Sequence, residues 1–109
     1  MEIEGANQKL TKILSSRTRL VKEYGNDIAM RVMVRLKDLA AADTLSDLGH
    51  LPPARVHLLK GKRKSQFAVV LKANWRLVFW GYDENDELST DVHEVVRIKV
   101  KEVVDYHGE

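Results

Sequence analysis

The hydrophobic period of this chain changes at Pro52-Pro53, and that change limits the possible folds more than any other feature. Before the prolines, apolar residues recur at helical spacing; after them, they alternate or gather in short blocks of Val, Leu, Phe and Trp. Leu10, Ile13, Leu14, Leu20, Val21 and Tyr24 predict one amphipathic helix over residues 7–24, with Gly25 as its stop. Asn26 or Asp27 is placed to cap a second helix, in which Ile28, Val32, Leu36 and Leu39 form a stripe ending near Ala42. A short turn is expected over 43–49, and the two prolines then exclude further helix and favour extended chain.

Strands are predicted over 55–59, 66–72 and 75–82, the last two joined tightly by Ala73-Asn74. A final strand begins near Val95, where Val96, Ile98 and Val100 alternate with Arg97, Lys99 and Lys101. The alternation fails at Val103-Val104, so a bend or bulge is expected there that re-aims Asp105-Tyr106-His107. The economical architecture is α+β, two N-terminal helices packed on a twisted antiparallel sheet, in one domain over residues 1–109.

Composition narrows the function classes. No apolar run approaches the roughly 18 residues that span a bilayer, and Met1-Glu2-Ile3-Glu4-Gly5 has neither the basic nor the apolar region of a secretion signal. A cytoplasmic location is expected. The absence of Cys excludes disulfides, thiolate zinc sites and a Cys nucleophile, and His50 and His93 lack metal-ligand spacing. No metal or other cofactor is called for. There is no G-x-S-x-G elbow either.

Charge is segregated along the chain, although the net value is only +2. No acidic residue lies between Leu48 and Tyr82, a stretch that contains Arg55, Lys60, Lys62, Arg63, Lys64, Lys72 and Arg76. It is a candidate polyanion face. Asp83, Glu84, Asp86, Glu87, Asp91 and Glu94 follow at once and read as a solvated loop. The turn Leu59-Lys60-Gly61-Lys62-Arg63-Lys64-Ser65-Gln66 suits phosphate, but it is no Walker A motif, since the first glycine and the following helix are missing. His57, mid-strand, shares a face with Arg55 and Leu59. Arg76 suits bidentate phosphate recognition, and it equally suits covering apolar surface. Phe67, Phe79 and Trp80 fit the core better than a base-stacking platform. Asp105-Tyr106-His107 combines carboxylate, phenol and imidazole, a set capable of proton transfer or of nothing more than ending the chain.

Taken together, Pro52-Pro53-Ala54-Arg55-Val56-His57-Leu58-Leu59-Lys60-Gly61, then Arg63-Lys64-Ser65-Gln66-Phe67, then Trp75-Arg76-Leu77-Val78-Phe79, then Glu102-Val103-Val104-Asp105-Tyr106-His107, resemble the HigB-type toxins of the RelE/ParE superfamily, the plasmid-maintenance killer proteins. The resemblance departs at Lys62, where the family commonly has Asp or Asn, at Ser65, where it commonly has Gly, and in the acidic stretch, which looks like a lengthened hairpin. It implies a RelE/ParE-like fold and a ribosome-dependent, metal-independent mRNA endonuclease that works in the ribosomal A site. It also implies a separately encoded helix-turn-helix antitoxin, HigA-like, whose complex with the toxin reaches operator DNA. The catalytic residues implied are His57, Asp105, Tyr106 and His107, with the two histidines sharing acid and base roles. Arg55, Lys60, Lys62, Arg63, Lys64 and Arg76 would bind RNA phosphate. Two alternatives stay open: a ParE-like gyrase inhibitor without catalysis, and a non-catalytic RNA-binding module.

Overall fold

The computed structural model describes residues 1–50 and 55–106. Helices α1 (Gln8–Leu14), α2 (Arg17–Tyr24) and α3 (Asn26–Ala41) lie on a sheet of β1 (Glu2–Gly5), β2 (His57–Leu58), β3 (Phe67–Lys72), β4 (Trp75–Tyr82) and β5 (Arg97–Asp105). The sheet order is β1-β5-β4-β3-β2. The class is α+β as expected, and the arrangement differs from the sequence reading in two ways.

The first helix is two helices. Asn7 does begin it, its side-chain oxygen accepting from the Leu10 amide. Ser16 then turns extended and accepts from the Arg19 amide, which caps a new helix. The apolar pattern carries no trace of this break: Ile13 and Leu20, and Leu14 and Val21, are each seven apart and would share one face of a continuous helix. Gly25 ends α2 at φ 83°, as predicted, and itself serves as the N-cap of α3, so neither Asn26 nor Asp27 caps.

The sheet is mixed. β1 pairs in parallel with β5, setting Ile3 against Ile98 and Gly5 against Val100. One apolar residue between two glutamates is too short a signal for a strand. Gly5 is required by packing: a Cβ there would lie 2.6 Å from the Thr11 nitrogen, so a larger residue would push α1 off the sheet. The other pairings are antiparallel, and β3 and β4 join through Ala73-Asn74 as expected. The turn over 43–49 is a 3₁₀ segment, Leu45–His50.

The core lies between the helices and one face of the sheet, where Leu20, Ile28, Val32 and Leu39 meet Phe67, Val69, Leu77, Phe79, Ile98 and Val100. Phe67 and Phe79 stack with ring centroids 5.8 Å apart. Each such buried ring contributes about 1.5–3 kcal/mol over its exposed state. Among the described residues, no helix is long and apolar enough to cross a membrane.

Candidate functional site

Strand parity decides which side chains leave the sheet away from the helices. Directly paired residues point to the same side, so the register traces rows across that outer face. One row runs His57, Ala68, Val78, Glu102, and the next runs Val70, Arg76, Val104. Trp80 faces Lys99 in a third row, so this tryptophan belongs to the outer face and not to the core in which the sequence placed it.

A bulge in β5 sets these rows. Val78 pairs with Glu102 but Phe79 pairs with Val100, which leaves Lys101 as an extra residue. The sequence located the irregularity at Val103-Val104, two residues too late. Those two valines simply face opposite sides: Val103 is buried among the core residues, and Val104 stands across from Arg76. The parity shift has already been absorbed at Lys101. Without it, Glu102 would point into the core and Val103 to solvent.

The basic turn folds back over the outer face. Gly61–Arg63 forms one 3₁₀ turn, with Gly61 at φ 65° and Ser65 at φ 68°, both left-handed. The family's glycine preference at the position of Ser65 thus has a physical cause, since a side chain is strained there. Arg63 reaches from beyond β3 to Glu102 on β5, forming an ion pair, and its guanidinium carbon lies 5.3 Å from the centroid of the Tyr106 ring. Ala68 and Val78, in the row of Glu102, are buried apart from the main core.

The sequence-predicted residues fall into three groups. His57 and Tyr106 reach the outer face, His57 from an edge strand of two residues and Tyr106 just past β5, with its amide donating to the Asn74 carbonyl. His57 is exposed, and its side chain makes no hydrogen bond to another described residue. Lys60, Lys62 and Lys64 are exposed and without ion pairs among the described residues. These three lysines, like Arg55, are available to an anion.

Arg63 and Arg76 are engaged elsewhere. One terminal nitrogen of Arg76 donates to the Ala73 and Trp75 carbonyls at 2.6 and 3.0 Å, holding the β3–β4 turn. Arg55 and Asp105 depart from expectation. Arg55 has φ 45°, so the strand starts only at His57 and the shared face inferred for the two is not maintained. Asp105 pairs with Trp75, which puts it on the side of the sheet that carries the helices, out of phase with Glu102 and Val104. His107 and Pro52-Pro53-Ala54 lie outside the described residues.

Sequence reasoning missed Glu102, Trp80 and the cation Lys99 as outer-face residues. The alternation of Lys99 and Lys101 with Ile98 and Val100 pointed to a polar face, but only the pairing shows that it is the face of His57. The acidic stretch is the predicted solvated loop, in which Asp83 accepts from the amides of Asn85 and Glu87 and Asp91 from that of His93. No cluster of three or more His, Cys, Asp or Glu side chains suited to a metal occurs among the described residues.

A search among curated proteins returns no match. The sequence does match, over residues 6–94, the family described as RelE-like toxins of type II toxin-antitoxin systems, HigB. That span includes the helices, His57 and the basic turn, and it ends before β5. The fold is compatible with a RelE-like one, and the chain belongs to the HigB-like toxins of type II toxin-antitoxin systems, which pairs it with an antitoxin.

Proposed function

We propose that this toxin is a ribosome-dependent mRNA endonuclease, acting through the outer face of its sheet. The observations that carry the reading are the exposed imidazole of His57 on that face, the adjoining basic turn whose Lys60, Lys62 and Lys64 are exposed and without ion pairs among the described residues, and the Arg63 guanidinium beside the Tyr106 ring. RNA cleavage by side chains needs a base for the ribose 2′-hydroxyl, cations to offset charge on the phosphorane, and an acid for the departing 5′-oxygen. His57 and His107 share the acid and base roles. Tyr106, which lies beside a guanidinium, positions the substrate or a phosphate oxygen. Asp105 points to the other side of the sheet and assists from there.

Backbone spacing constrains the geometry further. His57 and Glu102 stand three strands apart, roughly 14 Å between main chains at about 4.8 Å per strand. The imidazole and the β5 end of the face therefore approach the substrate from separate sides. The partner is a helix-turn-helix antitoxin, through which the complex reaches operator DNA.

Inducible expression with 5′-end mapping of cellular mRNA tests the reading. Cuts within coding sequence that depend on translating ribosomes are expected. His57→Ala should lower cleavage by about 10²- to 10⁴-fold, the usual contribution of a general acid or base, while the protein stays folded. Intact mRNA accompanied by DNA damage would replace this reading with gyrase inhibition.

A further inference from the structure

The acidic side chain that the register places in the row of His57 is Glu102, and the reading above leaves it without a task. We infer that Glu102 is a positioning residue of this face: it fixes the Arg63 guanidinium against the Tyr106 ring, so that the two meet RNA as one rigid unit. The inference rests on the endonuclease reading.

Four observations support it. The bulge at Lys101 is what turns Glu102 outward, to the side from which Arg63 also approaches Tyr106. The ion pair spans from the turn beyond β3 to β5, so it determines where an otherwise flexible arginine lies. The recorded bond uses one terminal nitrogen of Arg63, and a guanidinium has five N–H donors, so others remain for phosphate. Lys101 also lies 3.6 Å from the same Glu102 oxygen, which leaves the trio Lys101, Glu102, Arg63 with an excess of positive charge. The carboxylate therefore orients the arginine without cancelling the attraction for RNA.

A purely structural role would look different. The two side chains are 22% and 31% exposed, and Glu102→Gln keeps the shape of the residue and an oxygen that accepts from the guanidinium. The substitution should accordingly leave the unfolding midpoint near that of the parent and act on catalysis.

The test is a double-mutant cycle on cleavage of an mRNA bound to programmed ribosomes, with parent, Glu102→Gln, Arg63→Ala and both changes together. Each single change should lower kcat/KM about tenfold, falling more on kcat than on KM, and the pair should cleave no more slowly than the weaker single variant. Cleavage by Glu102→Gln at the parent rate, or losses that multiply in the pair, would overturn the inference. A parent that does not cut mRNA defeats the endonuclease reading instead. The guanidinium resonance of Arg63 then decides: slow exchange that is lost in Glu102→Gln supports the positioning, and fast exchange in the parent refutes it.

Discussion

Lys101 has no partner in the pairing of β4 with β5, since Val78 takes Glu102 and Phe79 takes Val100. Deleting it leaves a regular strand in which Val100 and Val103 still face the core and Glu102 still faces out. The loss is one contact, the 3.6 Å approach of Lys101 to Glu102 at a half-exposed site, so the cost should be about 1 kcal/mol or less. Deleting Lys99 removes the same residue type two places earlier and has the opposite result. A strand that becomes regular turns Val100 out of the core and Lys101 into it, while one that keeps the bulge does the same to Ile98 and Arg97. Val100 and Ile98 are both fully buried, and either exchange forfeits about 1.5–3 kcal/mol of apolar burial and desolvates a cation. The total should be on the order of 4 kcal/mol, a large part of the 5–15 kcal/mol that holds a domain folded. Urea unfolding followed by the fluorescence of Trp75 and Trp80 measures both variants, provided their m-values agree with the parent's. If the deletion of Lys101 costs as much as that of Lys99, the register derived for β5 is wrong, and so is the outward placement of Glu102.

Further outcomes follow from single residues. Ser65→Gly relieves a left-handed φ of 68° and should be neutral or stabilising by up to about 1 kcal/mol in thermal unfolding; a clear loss would contradict that conformation. Burial, and then the charges of Glu23 and Glu102, push the Tyr24 phenol above its ordinary value of 10.0, so ultraviolet titration should show one late tyrosine that disappears in Tyr24→Phe. Because that value is raised on folding, the associated stability is complete below the unfolded pKa and is lost as pH rises through the folded one. The hydrogen bond from Lys72 holds the Asp27 carboxyl below its ordinary 3.8, so the stability it brings is present above that value and lost as pH falls through the lowered one. In Lys72→Ala the carboxyl resonance of Asp27 should titrate higher, and added salt should shrink the difference.

The parts of the fold that local pattern specifies were legible in the chain. Leu10 and Ile13, or Leu77 and Phe79, announce their elements because a single face is buried, and Gly25 announces a stop because few residues accept its φ. The break at Ser16 was harder to read, since serine is tolerated inside a helix and becomes a cap only when its backbone turns extended. β1 was illegible for a different reason. Its four residues are held by β5, nearly a hundred positions away, and its own sequence offers one apolar side chain.

The site shows the same division more sharply. His57, the basic turn and Tyr106 could be singled out as residue types able to handle RNA, but which of them share a face depends on register, and register is a property of pairs of strands. One extra residue in β5 decides whether Glu102 or Val103 faces outward, and with it whether Arg63 has an anchor. The same parity directs Asp105, the carboxylate that motif reasoning selected, to the helical side and Glu102 to the open one. A carboxylate three residues from the expected one, brought in by a bulge two residues from the expected one, cannot be found by spacing along the chain. It follows that in a strand of this kind the catalytic set should be assigned from the pairing first, with the motif used to choose among the residues that pairing places on the open face.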